Sequence, residues 1–142
     1  MATVVFFYAH PDDEALATGG TMALMAEAGH RVILVVATRG EEGEPVEGVL
    51  ETGEKLEDRR SSEVEKSAEI LGAARIEFLG YRDSGMVESD TTSHPNCFWQ
   101  ASKEEAVNRL SKLLSSEEVD LIVVYDPNGG YGHPDHIQVH QV

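Results

Sequence analysis

The sequence is poor in several things whose absence narrows its chemistry. It holds one cysteine, Cys97, among 142 residues, so it forms no internal disulfide and builds no thiolate metal cage. Basic residues are scarce, 11 against 26 acids, for a formal net charge of −15. Such a chain is repelled by phosphate backbones and anionic bilayers, which argues against nucleic acid and membrane partners. Long apolar runs are missing too, since stretches such as Val32–Ala37 fall far short of the ~20 residues that cross a bilayer. The N-terminus has no basic segment and its apolar stretch runs straight into Pro11-Asp12-Asp13-Glu14, unlike a secretory leader. A cytoplasmic location is the expectation. What is present is the length and apolar share of one globular domain, able to bury roughly 70% of its unfolded surface.

Val4–Ala9, Arg31–Thr38 (RVILVVAT) and Asp120–Tyr125 (DLIVVY) are short, continuous apolar runs, with Arg75–Leu79 a weaker fourth. Strands buried on both faces read this way. Between them Glu14–Ala28, Asp58–Leu71 and Lys103–Leu114 carry helical spacing, the last through Val107, Leu110 and Leu114. The alternation predicts an α/β fold, a mainly parallel sheet with helices on both faces. Two connections, Arg39 to Glu57 and Gly80 to Ala101, exceed the ~2–6 residues such units need. From Glu41 to Glu65 there are ten acids and three bases, which reads as a solvated, mobile surface. Gly19-Gly20 inside the first helix reads as close helix–sheet packing. A further helix opens around Ile137 and the sequence stops at Val142, so we expect one domain over 1–142 that lacks its C-terminal part.

Three of the six histidines fall in two clusters, each shortly after a buried strand: Ala9-His10-Pro11-Asp12-Asp13-Glu14 and Gly132-His133-Pro134-Asp135-His136. In open α/β sheets ligands bind beyond the carboxyl ends of strands, so the two clusters are placed to converge. A catalytic zinc takes about three His or carboxylate ligands and keeps one position open. His10, one of the two adjacent aspartates, and a histidine of the second cluster supply three ligands. The other aspartate then stands where a general base belongs. Pro11 and Pro134 stiffen the points where strand gives way to helix. Each cluster alone could be helix capping, because acids favour a helix N-terminus; together they favour a metal. His30 reads as dipole stabilisation at a helix end, His140 as helical surface, and His94 and Cys97 carry no role.

These residues resemble the PIG-L/LmbE-like family of metal-dependent de-N-acetylases and amidases. AHPDDE at Ala9–Glu14 and HPDH at His133–His136 look like its two signature motifs. Thr38-Arg39-Gly40-Glu41, Arg82-Asp83-Ser84-Gly85-Met86 and Asp126–Gly132 (DPNGGYG) resemble its actinobacterial, mycothiol-related branch. The resemblance implies a Rossmann-like fold with zinc, or sometimes Fe2+, held by His10, Asp13 and His136. It implies Asp12 as general base, His133 as the group that stabilises charge or protonates the leaving amine, and Asp135 as the residue orienting His133. It further implies Tyr131 over the metal, and Arg60 and Asp83 on the sugar or inositol hydroxyls. Ala17 departs from the pattern, standing where that branch can have a serine on the substrate.

The expected activity is hydrolysis of the N-acetyl group of an amino sugar or its conjugate, with a small-molecule substrate and room for a homo-oligomer. Two other classes fit the residues less fully. A metal-dependent phosphoesterase would also use His and Asp, although two-metal sites need more bridging carboxylates than these. A non-catalytic sugar- or metal-binding module would keep the ligands without the turnover.

Overall fold

The computed structural model describes residues 1–142. In chain order its elements are β1 (Thr3–Tyr8), α1 (Asp13–Glu27), β2 (Arg31–Val36), α2 (Leu56–Ile70), β3 (Arg75–Phe78), α3 (Lys103–Leu113), β4 (Leu121–Val123), the single turn α4 (Gly129–Gly132) and α5 (Pro134–Gln141). The strands form one parallel sheet in the order β3-β2-β1-β4. β1 and β2 pair from Thr3↔Arg31 to Tyr8↔Val36. Every side chain of Val4–Ala9 and of Val32–Ala37 is buried, which is why both segments are apolar without alternation.

Side chains still alternate between the two faces of the sheet. Val5, Phe7, Ile33 and Val35 pack with Ala106 and Leu110 of α3 and Val139 of α5. Val4, Phe6, Val32 and Leu34 pack with Met22 of α1 and Val64 and Ala68 of α2. Helices thus cover both faces, as the alternation of runs predicts.

Some boundaries differ. The Asp120–Tyr125 run is not buried on both faces: it pairs only from Val4↔Leu121 to Phe6↔Val123, because β4 is an edge strand, and Leu121 and Ile122 stay 47% and 46% exposed. α5 starts at Pro134 and not near Ile137, since proline suits the first helical position. The second long connection carries two 3-10 turns, Asp90–Ser93 and Phe98–Gln100, and Phe98 plugs the core. A Cβ at Gly19 would meet Leu71 at 3.6 Å, an ordinary contact, and one at Gly20 would meet nothing within 4 Å. Close helix–sheet packing therefore does not account for that pair. No helix is long and apolar enough to cross a membrane.

The topology places the site. From β1 the chain winds outward through β2 and β3, then returns to the other side of β1 as β4. The winding direction reverses between β1 and β4, and beyond the carboxyl ends of those strands lies the crevice where such sheets bind ligands.

Candidate metal centre

Both clusters reach that crevice. His10 to Asp13 turn from the end of β1 into α1. His133 caps α5, its Nδ1 accepting the Asp135 amide at 3.1 Å, and Pro134 fixes the first turn that presents Asp135 and His136. Three ligand atoms then meet. His136 Nε2 lies 3.2 Å from His10 Nδ1, and Asp13 Oδ2 lies 3.4 Å from each of them. Ligands about 2.0–2.1 Å from a tetrahedral zinc are about 3.3 Å apart, so the triangle fits such an ion.

The proton positions fit as well. His10 Nε2 faces only carboxylates, Asp135 Oδ2 at 3.1 Å and Asp83 Oδ1 at 3.3 Å, so it keeps a proton and Nδ1 is the nitrogen that can ligate. His136 Nδ1 donates to the Gly129 carbonyl at 3.2 Å, which leaves its Nε2 bare. Two imidazole lone pairs and a carboxylate oxygen facing one another repel unless a cation lies among them. Imidazole ligands anchored through their other nitrogen are the usual arrangement around a bound metal. Gly129 makes this approach at φ 63°, where a Cβ would come within 2.8 Å of His136.

Asp12 stands apart. Its side chain is 58% exposed, and its backbone, at φ 111°, is in a region that favours glycine and costs other residues ~1–3 kcal/mol. Surrounding groups hold it there. Glu14, almost fully buried, accepts the Asp12 amide at 3.0 Å with one carboxylate oxygen and the Ser67 hydroxyl at 2.6 Å with the other. Arg60 donates to the Pro11 carbonyl, to Gly40 O at 2.9 Å and to Asp12 Oδ2 at 3.2 Å. Burial raises the Asp12 carboxyl above its ordinary value against the pull of Arg60.

A cavity of about 230 Å3 opens over the triangle, lined by His10, Asp12, Asp13, Arg60, Asp83, Tyr131 and His133 among others. Asp135 and His136 lie buried beside it. Ala17 is exposed on α1 and is not part of the lining. Burial, together with the charge of His10, depresses His133 to about 4, so it is neutral at pH 7. Its Nδ1 is occupied by the Asp135 amide, and Nε2 therefore carries the proton. Burial opposes the charged form of His10, yet with no metal ion present the carboxylates of Asp13, Asp135 and Asp83 outweigh it and favour a second proton, on Nδ1, raising that ring's pKa well above the usual histidine range; a bound ion would take that proton's place. The negative surroundings that raise it would equally attract a cation.

Some placements differ from expectation. The Asp135 carboxylate does not orient His133: it binds His10 and the Ser84 amide and hydroxyl, while only its backbone amide reaches His133. The reason is the helix, which turns that side chain inward under the site. Asp83 borders the cavity, but its oxygens face His10 Nε2 and take the Gly85 and Glu42 amides. The glutamate-rich connection is not wholly solvated surface either. Glu41 accepts the Asp83 amide at 3.0 Å, and Glu42 pairs with Arg82. His140 donates to the Tyr125 carbonyl at 2.9 Å, and His30 accepts the Ala2 amide at 3.1 Å.

Sequence reasoning misses Tyr125, Ser84 and Glu14. Glu14 reads as a first-turn acid, and nothing in the local pattern marks it as buried. Tyr125 reads as the end of an apolar strand.

Comparison with known proteins gives the family. Residues 5–142 match a family described as GlcNAc-PI de-N-acetylase. The 1D-myo-inositol 2-acetamido-2-deoxy-alpha-D-glucopyranoside deacetylase of Thermobifida fusca (strain YX) is 45% identical over 150 residues, covering 98% of this chain and 52% of that protein. Among solved structures, the N,N'-diacetylchitobiose deacetylase of Pyrococcus horikoshii aligns with a TM-score of 0.75 and 32% identity over 96% of this chain and 46% of that one. GalB, the 4-carboxy-2-hydroxymuconate hydratase of Pseudomonas putida KT2440, aligns with a TM-score of 0.72 and 26% identity over 99% of this chain and 54% of that one. The chain spans about half the length of the curated relatives it matches.

Proposed function

Because the chain belongs to the PIG-L family, we propose that it hydrolyses the N-acetyl amide of an amino sugar carrying a further group, using a divalent ion, zinc or Fe2+, held by His10, Asp13 and His136. The observation that carries this reading is the triangle of two facing imidazole nitrogens and one carboxylate oxygen at 3.2–3.4 Å. The substrate class comes from the relatives, which are deacetylases of an inositol 2-acetamido-2-deoxyglucoside and of N,N'-diacetylchitobiose. Bound there, the ion would polarise the amide carbonyl and lower the pKa of water.

The chain's own residues do the rest. Asp12 is the general base: its carboxylate faces the cavity, and its raised pKa suits a group that takes a proton from the attacking water. His133, neutral and protonated on Nε2, donates a hydrogen bond to the carbonyl oxygen as negative charge develops, with Tyr131 a second donor. A well-placed donor of this kind is worth roughly 3–4 kcal/mol in comparable sites. Asp135 acts through His10, fixing its tautomer. Arg60 and Asp83 border the space where sugar hydroxyls would lie.

Acetate release from N-acetylglucosamine, N,N'-diacetylchitobiose and an N-acetylglucosaminyl inositol, with an aryl phosphate alongside, tests the reading. We expect acetate from at least one sugar and no phosphate. Asp12→Ala should keep the ion and lose turnover by roughly 10²–10⁴-fold, whereas His136→Ala should lose the ion. Substantial acetate release by Asp12→Ala would remove it as the base. Tight zinc binding with no acetate from any sugar would favour a binding module.

A further inference from the structure

Tyr125 lies two residues beyond the last paired residue of β4, level with Tyr8 if the Phe6↔Val123 register continues. Its phenol reaches across the end of β1. The hydroxyl accepts the Ala9 amide at 2.9 Å and contacts Asp13 Oδ2 at 2.6 Å. Since the amide can only donate, the phenolic proton points to Asp13. The ring of the same residue stacks on His136, with centroids 4.1 Å apart and planes 8° from parallel. Its carbonyl accepts His140, one turn further along α5.

One side chain thus touches two groups of the triangle that come from different ends of the chain, Asp13 at the start of α1 and His136 on α5. The third, His10, has Asp135 and Asp83 as its outer partners. We propose that Tyr125 is a positioning residue for the metal centre: its hydroxyl fixes which way the Asp13 carboxylate turns, and its ring fixes the plane of His136. The inference rests on the assignment of His10, Asp13 and His136 as ligands and deepens it. The geometry distinguishes this role from ordinary packing, because neighbouring Tyr8 spends its hydroxyl on Thr18 at 2.8 Å, away from any ligand.

Zn2+ titration against a chelating dye, with the visible spectrum of the Co2+ form as a readout of coordination, tests it. Tyr125→Phe keeps the ring and loses the hydroxyl, and we expect Zn2+ to bind 10–100-fold more weakly with a changed Co2+ spectrum. Tyr125→Leu, which also loses the stack, should bind more weakly still. Tyr8→Phe removes a hydroxyl from the adjacent ring and should leave both readouts as in the parent, which controls for loss of packing. Melting of the metal-free proteins separates a folding defect from a site defect, since the affinity loss should persist under conditions where Tyr125→Phe is fully folded. A folded Tyr125→Phe protein with the parent's affinity and spectrum overturns the inference, whatever the chain does to amides. Weakened binding supports it even if no acetate is released, and a parent chain that binds no zinc overturns both this role and the ligand assignment.

Discussion

Asp12 shows how much one residue can be asked to do. Its neighbours hold it at φ 111°, and the carboxylate that faces the cavity is on that strained backbone. Replacing it isolates the two contributions. Asp12→Gly and Asp12→Ala both remove the carboxylate and the Arg60 pair, but only glycine relaxes the backbone. We expect the glycine variant to be more stable than the alanine variant by about 1 kcal/mol in urea unfolding, with both inactive. Equal stability would mean that the turn is not strained. Much of this centre is legible in the sequence: His10, Asp12, Asp13, His133 and His136 announce themselves by clustering after strands. Tyr125 does not, because its role depends on a register across two strands 116 residues apart, and a tyrosine ending an apolar run looks like core. Asp135 is visible as a site residue, but its partner is decided by the direction in which α5 turns its side chain.

Between elements, charged contacts at the opposite end of the sheet contribute to stability without touching the site. Glu117, in the turn after α3, receives both Arg31 Nε and Arg31 Nη2 at 2.8 Å, and Arg75 Nη1 at 3.2 Å. Those two arginines open β2 and β3, so one carboxylate ties α3 to two neighbouring strands. Arg31, with Arg75, holds Glu117 at about 2, below its ordinary 4.5. A depressed carboxylate pKa adds stability that is fully present above the unfolded value and lost as pH falls through the folded one. Glu117→Gln should therefore lower the melting temperature at neutral pH, with the gap to the parent shrinking below about pH 4.5 and closing near pH 2. A gap independent of pH would assign the effect to packing. Strands buried on both faces were readable from their unbroken apolar runs. The start of α5 and the 3-10 turns were not, because proline chemistry and the burial of Phe98 decide them and periodicity does not.

For the molecule as a whole, the ligands sit on segments that sheet pairing alone joins weakly. β4 contacts β1 over three residue pairs, yet the connection leaving it carries His136 to His10 and Asp13. An ion binding only the folded arrangement stabilises it by mass action, by about 2.7 kcal/mol at one hundred times its dissociation constant. For a chain of this size that corresponds to a rise of roughly 5–10 °C in melting temperature. We expect chelation to reverse the rise and His136→Ala to show none. A melting temperature indifferent to zinc and to chelator would count against the triangle as a site.

The separation of those ligands also orders events in time. His10 and His136 are 126 residues apart, and a growing chain emerges from the ribosome at roughly 5–20 residues per second. The first half of the centre therefore exists for several seconds before the second half has been made. During that interval His10 and Asp13 offer a passing ion two ligands at most, whatever its concentration. Metal capture waits until His136 has been made and β4 has found the edge of β1.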